Sequence, residues 1–99
     1  MGWNISPGQF RRSYTTMHTL GQHLAHVLPA GDWQSIAHLF GTGSGNPFTI
    51  SPAQAARAAR ILRTGADHRL MPLDWATTAR ELAATAEQAA STGRPWEWR

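Results

Sequence analysis

The sequence predicts an α+β domain in which about four helices pack on a small sheet of two or three short strands. Two observations predict it. Four stretches carry apolar residues at helical spacing between recognisable start and stop signals. Three short stretches, Trp3-Asn4-Ile5-Ser6, Phe48-Thr49-Ile50 and Trp96-Glu97-Trp98, read as strands, two of them by strict alternation of apolar and polar residues. At 99 residues the chain is read as a single domain, 1–99, with one core.

The first strand is broken by Pro7-Gly8. From about Ser13 to Leu28 the pattern becomes helical: Tyr14, Met17, Leu20, Leu24, Val27 and Leu28 share one face. Gly21 weakens this helix by up to about 1 kcal/mol relative to alanine, and Pro29 and Gly31 end it. Asp32 is read as the N-cap of a second helix with Trp33, Ile36, Ala37 and Phe40 on its apolar face and Gly41 closing it. The run Gly41-Thr42-Gly43-Ser44-Gly45-Asn46-Pro47 is the clear flexible loop. Ser51-Pro52-Ala53-Gln54 then gives a capping box with proline at N1. That third helix is expected to run to Arg63 or Thr64 and stop at Gly65. Asp74 is read as the cap of a fourth, from about Trp75 to Ser91, terminated by Gly93 and Pro95. The three strands are expected to meet in one sheet covered by the helices.

The order of elements admits a β-α-α pseudo-repeat. Asn4-Ile5-Ser6-Pro7-Gly8-Gln9 resembles Thr49-Ile50-Ser51-Pro52-Ala53-Gln54, and Asp32-Trp33 resembles Asp74-Trp75. The competing explanation is that capping chemistry selects Ser-Pro and Asp-Trp independently.

Composition excludes several function classes. There is no cysteine, which removes disulfide scaffolds, thiol catalysis and zinc-thiolate sites. No apolar run is long enough to span a bilayer, and the opening residues carry neither the basic nor the apolar region of a secretory signal, so a cytoplasmic location is expected. All nine basic residues are arginine, which together with heavy alanine and glycine use points to a high-GC bacterial genome. The positive charge is concentrated: residues 53–70 hold Arg57, Arg60, Arg63 and Arg69 against Asp67 alone.

No nucleophile elbow, Walker lysine or His-Glu-x-x-His motif occurs, and the six acidic residues are scattered. The glycine-rich loop precedes a strand, the wrong context for cradling phosphate. Met1-Gly2 with Ser6, and Asn4-Ile5-Ser6, match myristoylation and glycosylation patterns by chance. Of five histidines, His23 and His26 lie three apart on one helix face and His38 is a conceivable third ligand, but a zinc site needs three or four ligands and no local carboxylate joins them. His18 and His68 add nothing to that set, and no metal or cofactor is expected.

Two features remain as binding candidates. Arg57, Arg60 and Arg63 fall opposite Ala55, Ala58, Ala59 and Leu62 on the third helix, an arginine face suited to phosphates. The five tryptophans, Trp3, Trp33, Trp75, Trp96 and Trp98, are core anchors or interface anchors; Trp96 and Trp98 are the partner-binding candidates.

The opening Met-Gly-Trp-x-Ile-Ser, the segment His23–Pro29 with Asp32-Trp33, the Ser44-Gly45-Asn46-Pro47-Phe48 turn and the ending Pro95-Trp96-Glu97-Trp98 together resemble a family of small uncharacterised actinobacterial proteins, a domain of unknown function. That resemblance implies a compact bacterial domain and brings no catalytic residues with it. The expected function is therefore a non-catalytic protein-interaction or regulatory role, with an unidentified protein as partner. A nucleic-acid-associated regulator using Arg57, Arg60 and Arg63 is the alternative, and a small enzyme or metal protein built on the histidines is a third reading. Self-association stays open.

Overall fold

The computed structural model describes residues 1–41 and 46–99. The elements follow in the order β1 (Gly2–Ser6), β2 (Phe10–Ser13), α1 (Tyr14–Val27), α2 (Ala30–Phe40), β3 (Phe48–Ile50), α3 (Pro52–Ala66), α4 (Leu73–Thr92) and β4 (Trp96–Trp98). Four helices and one antiparallel four-stranded sheet, order β2-β1-β4-β3, make this an α+β fold. The glycine-rich loop read from Gly41 to Pro47 falls largely on residues 42–45, outside the described residues.

The sheet holds one more strand than expected. β2 pairs with β1 through Trp3↔Arg12 and Ile5↔Phe10. It escapes a periodicity reading because only Phe10 of its four residues is apolar. Arg12 occupies an inward position as an amphipathic side chain: its guanidinium lies 4.5 Å over the Phe10 ring and reaches Glu81 of α4 at 3.3 Å. Pro7-Gly8 is thus the turn of a hairpin rather than only an end of β1. Gly8 has φ +103°, and a methyl group there would stand 2.8 Å from Thr85 Cγ2 of α4, so glycine is required on both counts.

β4 lies in the middle of the sheet. It pairs with β1 through Ile5↔Trp98 and Ser6↔Glu97, and with β3 through Phe48↔Trp98 and Ile50↔Trp96. Reciprocal backbone bonds between Asn4 and Arg99, at 2.7 and 3.0 Å, extend the β1–β4 ladder. Phe10, Ile5, Trp98 and Phe48 therefore form one row across all four strands on the helix-covered face. The opposite face carries Asn4, Ser6, Arg11, Thr49 and Glu97 and is polar.

The helix boundaries show which signals acted. Ser13 caps α1 by accepting from the Thr16 N–H at 3.1 Å, and Ser51 caps α3 by accepting from the Gln54 N–H at 3.3 Å. Asp32 and Asp74 are not N-caps. Pro29 and Pro72 hold those positions, and the two aspartates lie within the first turn, at the third residue of α2 and the second of α4, where a carboxylate still favours the positive end of the helix. Gly65 does not stop α3. It is buried within the helix, and a methyl group there would stand 2.6 Å from Leu24 Cδ2 of α1, so its role is close approach. Gly21 does the same in α1 for the Phe40 side chain of α2. Gly93 ends α4 at φ +67°, with the Gly93 and Arg94 N–H groups donating to Ala90 and Ala89.

The pseudo-repeat is not carried by its best sequence match. Ser6-Pro7-Gly8-Gln9 is a hairpin turn, whereas Ser51-Pro52-Ala53-Gln54 opens a helix. Capping chemistry accounts for the second and turn chemistry for the first.

Two variants distinguish the β4 tryptophans. The buried indole N–H of Trp96 donates to Thr85 Oγ1 at 2.9 Å, while that of Trp98 has no acceptor among the described residues. Trp96→Phe should therefore cost about 1 kcal/mol more than Trp98→Phe in urea unfolding, since only the former breaks a hydrogen bond. Equal losses would contradict the assignment. Deleting residues 94–99 removes the strand between β1 and β3, and should lower stability by several kcal/mol or abolish cooperative melting.

Candidate functional site

Trp96 and Trp98 do not form a contact surface. Both are 0 % exposed, and Trp98 packs against Trp3, Phe40, Phe48 and Trp96 at ring separations of 5.2–6.2 Å. Alternation placed both on one strand face, and the central position of β4 puts that face under the helices. Trp3 is buried with them, while Trp33 and Trp75 are half-buried: Trp33 stacks on Phe40 at 5.9 Å, and Trp75 packs against His23 at 5.2 Å with the rings tilted by 31°.

The three arginines of α3 are not equivalent. Arg63 makes a two-pronged contact with Glu87 of α4, at 2.6 and 2.7 Å. This contact raises the Arg63 pKa, and the same hydrogen bonds pull the Glu87 carboxyl below its ordinary value. Arg57 touches Ser35 Oγ of α2 at a long 3.5 Å, and Arg60 is exposed. Arg12, Arg80 and Arg99 also face carboxylates, those of Glu81, Asp67 and Glu97. An arginine face available to phosphates is thereby reduced to Arg57 and Arg60.

The histidines are dispersed. His23 lies against α4, His38 lines the cleft between α2 and α3, and Nδ1 of His68 accepts from the Leu70 N–H at 3.1 Å. His18 and His26 are exposed on α1. Among the described residues no three His, Asp or Glu side chains are grouped to share a metal ion.

Two features escaped the sequence reading. Leu70 and Leu73, in the α3–α4 connection and at the first residue of α4, are 61 % and 85 % exposed, while among the described residues the other large apolar side chains except Met1 are buried or half-buried. The unbroken run Leu70-Met71-Pro72-Leu73 was the available signal; only Met71 of it enters the core. The second feature is a cleft of about 160 Å³ between α2 and α3. Its apolar wall is Ile36, Leu39, Ile50 and Ala58, and its polar wall Ser35, His38, Gln54 and Arg57. These residues come from three elements and no sequence motif connects them.

Fold and surfaces together define a small α+β domain whose helices cover one face of an antiparallel sheet, with no helix long and apolar enough to cross a membrane among the described residues. The chain belongs to the family described as domain of unknown function DUF7739, whose model matches residues 5–99. No curated protein and no solved structure matches it.

The Arg63–Glu87 pair yields a pH-dependent prediction. The folded-state pKa of Glu87 is lowered, so its stabilisation is present above the unfolded carboxyl pKa and is lost as pH falls through the folded value. Both side chains are more than a third exposed, which limits the pair to about 1 kcal/mol or less. Glu87→Gln should lower stability by that amount at neutral pH and by nothing once the carboxyl is protonated in both states. Paired urea titrations at the two pH values check this.

Proposed function

We propose that this domain is a non-catalytic, cytoplasmic interaction module that docks on a protein partner through the α3–α4 tip. One observation carries the reading: two leucines, Leu70 and Leu73, stand in solvent four residues beyond the end of α3 and at the start of α4, whereas the other large apolar side chains among the described residues, Met1 excepted, are buried or half-buried. Exposed leucines that contribute nothing to the core favour a binding role. Arg69 beside them is exposed and makes no ion pair among the described residues. The partner that fits is a protein offering an apolar hollow with a polar rim that answers both Arg69 and the exposed carboxylate of Asp74. The nucleic-acid reading is weaker, because Glu87 occupies Arg63 and leaves Arg57 and Arg60 to contact phosphates.

The test is a Leu70→Ser/Leu73→Ser double variant. Both side chains lie outside the core, so its melting temperature should stay within a few degrees of wild type. Affinity capture from the native host should recover a protein with wild type that the variant loses, and the purified pair should bind with the same dependence. Binding that survives the double substitution would refute the assignment. So would DNA or RNA binding at low micromolar concentration and physiological salt, abolished by glutamine at Arg57, Arg60 and Arg63.

A further inference from the structure

We infer that the cleft between α2 and α3 is a binding site for a small organic carboxylate with an apolar body. The inference is independent of the leucine tip. The cleft encloses about 160 Å³, and its floor is built from the buried side chains of Ile36, Leu39 and Ile50, which would receive a short hydrocarbon portion. Its rim is one-sided in chemistry. Arg57 supplies a fixed positive charge and Gln54 a side-chain N–H donor, while Ser35 Oγ already donates to the Gly31 carbonyl at 3.1 Å; His38 is the remaining polar group of the lining, and among the described residues no carboxylate joins it.

Arg57 has the coordination to spare. Arg12, Arg63, Arg80 and Arg99 each face a carboxylate of this chain within 3.3 Å. Among the described residues Arg57 has only a contact of 3.5 Å to Ser35 Oγ, at the long limit of a hydrogen bond, which leaves most of its N–H donors unused at the edge of the cleft. A planar carboxylate matches that fork with two parallel hydrogen bonds. Gln54 is in position because Ser51 caps α3 through the Gln54 backbone N–H, so the side chain is not needed to cap the helix. An inorganic anion would satisfy the rim and leave the apolar floor empty; a neutral hydrocarbon would do the reverse. The bifunctional lining selects a ligand with both parts.

The experiment is an NMR titration of the full chain with 3-methylbutanoate, benzoate, 3-methylbutanamide and inorganic phosphate. The expected result is saturable binding of a carboxylate at about millimolar concentration or tighter, with shifts at Ile36, Ile50 and the Arg57 side chain. The amide and phosphate should bind at least about tenfold more weakly, because each lacks one half of the match. Arg57→Gln, at an exposed position, should keep its melting temperature and lose carboxylate binding by a similar factor. The inference is overturned by no shift with either carboxylate at about 10 mM, by equal binding of the amide or phosphate, by shifts confined to other surfaces, or by unchanged affinity in Arg57→Gln. The amide comparison uses wild-type protein and decides the matter even if the variant is unstable.

Discussion

The structure depends on the insertion of β4 between β1 and β3. Without it the β1–β2 hairpin and the three-residue β3 share no edge, and the helices that connect them have no common floor. Insertion is driven by two tryptophans that present the same strand face and bury completely. Trp98 meets Ile5 on one side and Phe48 on the other, and stacks with Phe48 at 5.2 Å. Trp3 stands edge-on to both rings and to Tyr14 at the start of α1. Aromatic contacts of this kind add to area burial because ring edges and faces carry opposite partial charge. The aromatic floor thus joins residues from the two ends of the sequence, a non-local arrangement expected to slow folding relative to a helical bundle of this size.

Around that aromatic floor the helices pack by small residues. α3 and α4 make the most extensive helix contact, and the side chains they bury are mostly alanines, Ala55, Ala58, Ala59 and Ala66 on α3 and Ala76, Ala79, Ala83, Ala86 and Ala89 on α4. Gly65 lets Leu24 approach α3, and Gly21 lets Phe40 approach α1. Alanine-rich helices bury little area each, and the large aromatic side chains compensate. Close helix packing also sets the electrostatics. Bringing α3 against α4 places Arg63 beside Glu87 and Asp67 beside Arg80, while α2 offers Arg57 only a hydroxyl.

That division separates structural from available surface. Arg99 pairs locally with Glu97, and Arg12, Arg63 and Arg80, each opposite an acidic neighbour, are part of the sheet–α4 and α3–α4 contacts. Arg57, at the mouth of a cleft, and Arg69, beside two exposed leucines, are not. The DUF7739 match, residues 5–99, takes in every element except the first three residues of β1, Gly2, Trp3 and Asn4.

The sequence by itself determined what local chemistry determines. Four helices, the serine cap at Ser51, the glycine end of α4 and three of the four strands follow from periodicity and from the donors and acceptors within a few residues. Tertiary structure decided the rest. β2 exists because Phe10 and Arg12 find β1 and Glu81, partners invisible to a four-residue pattern. Gly65 lies inside α3 as a point of close approach, because a side chain there would meet Leu24 of α1. Trp96 and Trp98 became core, and not interface, because β4 entered the centre of the sheet. The α2–α3 cleft, and the difference between Arg57 and Arg63, arise only when helices far apart in sequence are set side by side. Local hydrogen bonding is encoded within one turn or strand; burial and charge pairing are set by neighbours across the fold.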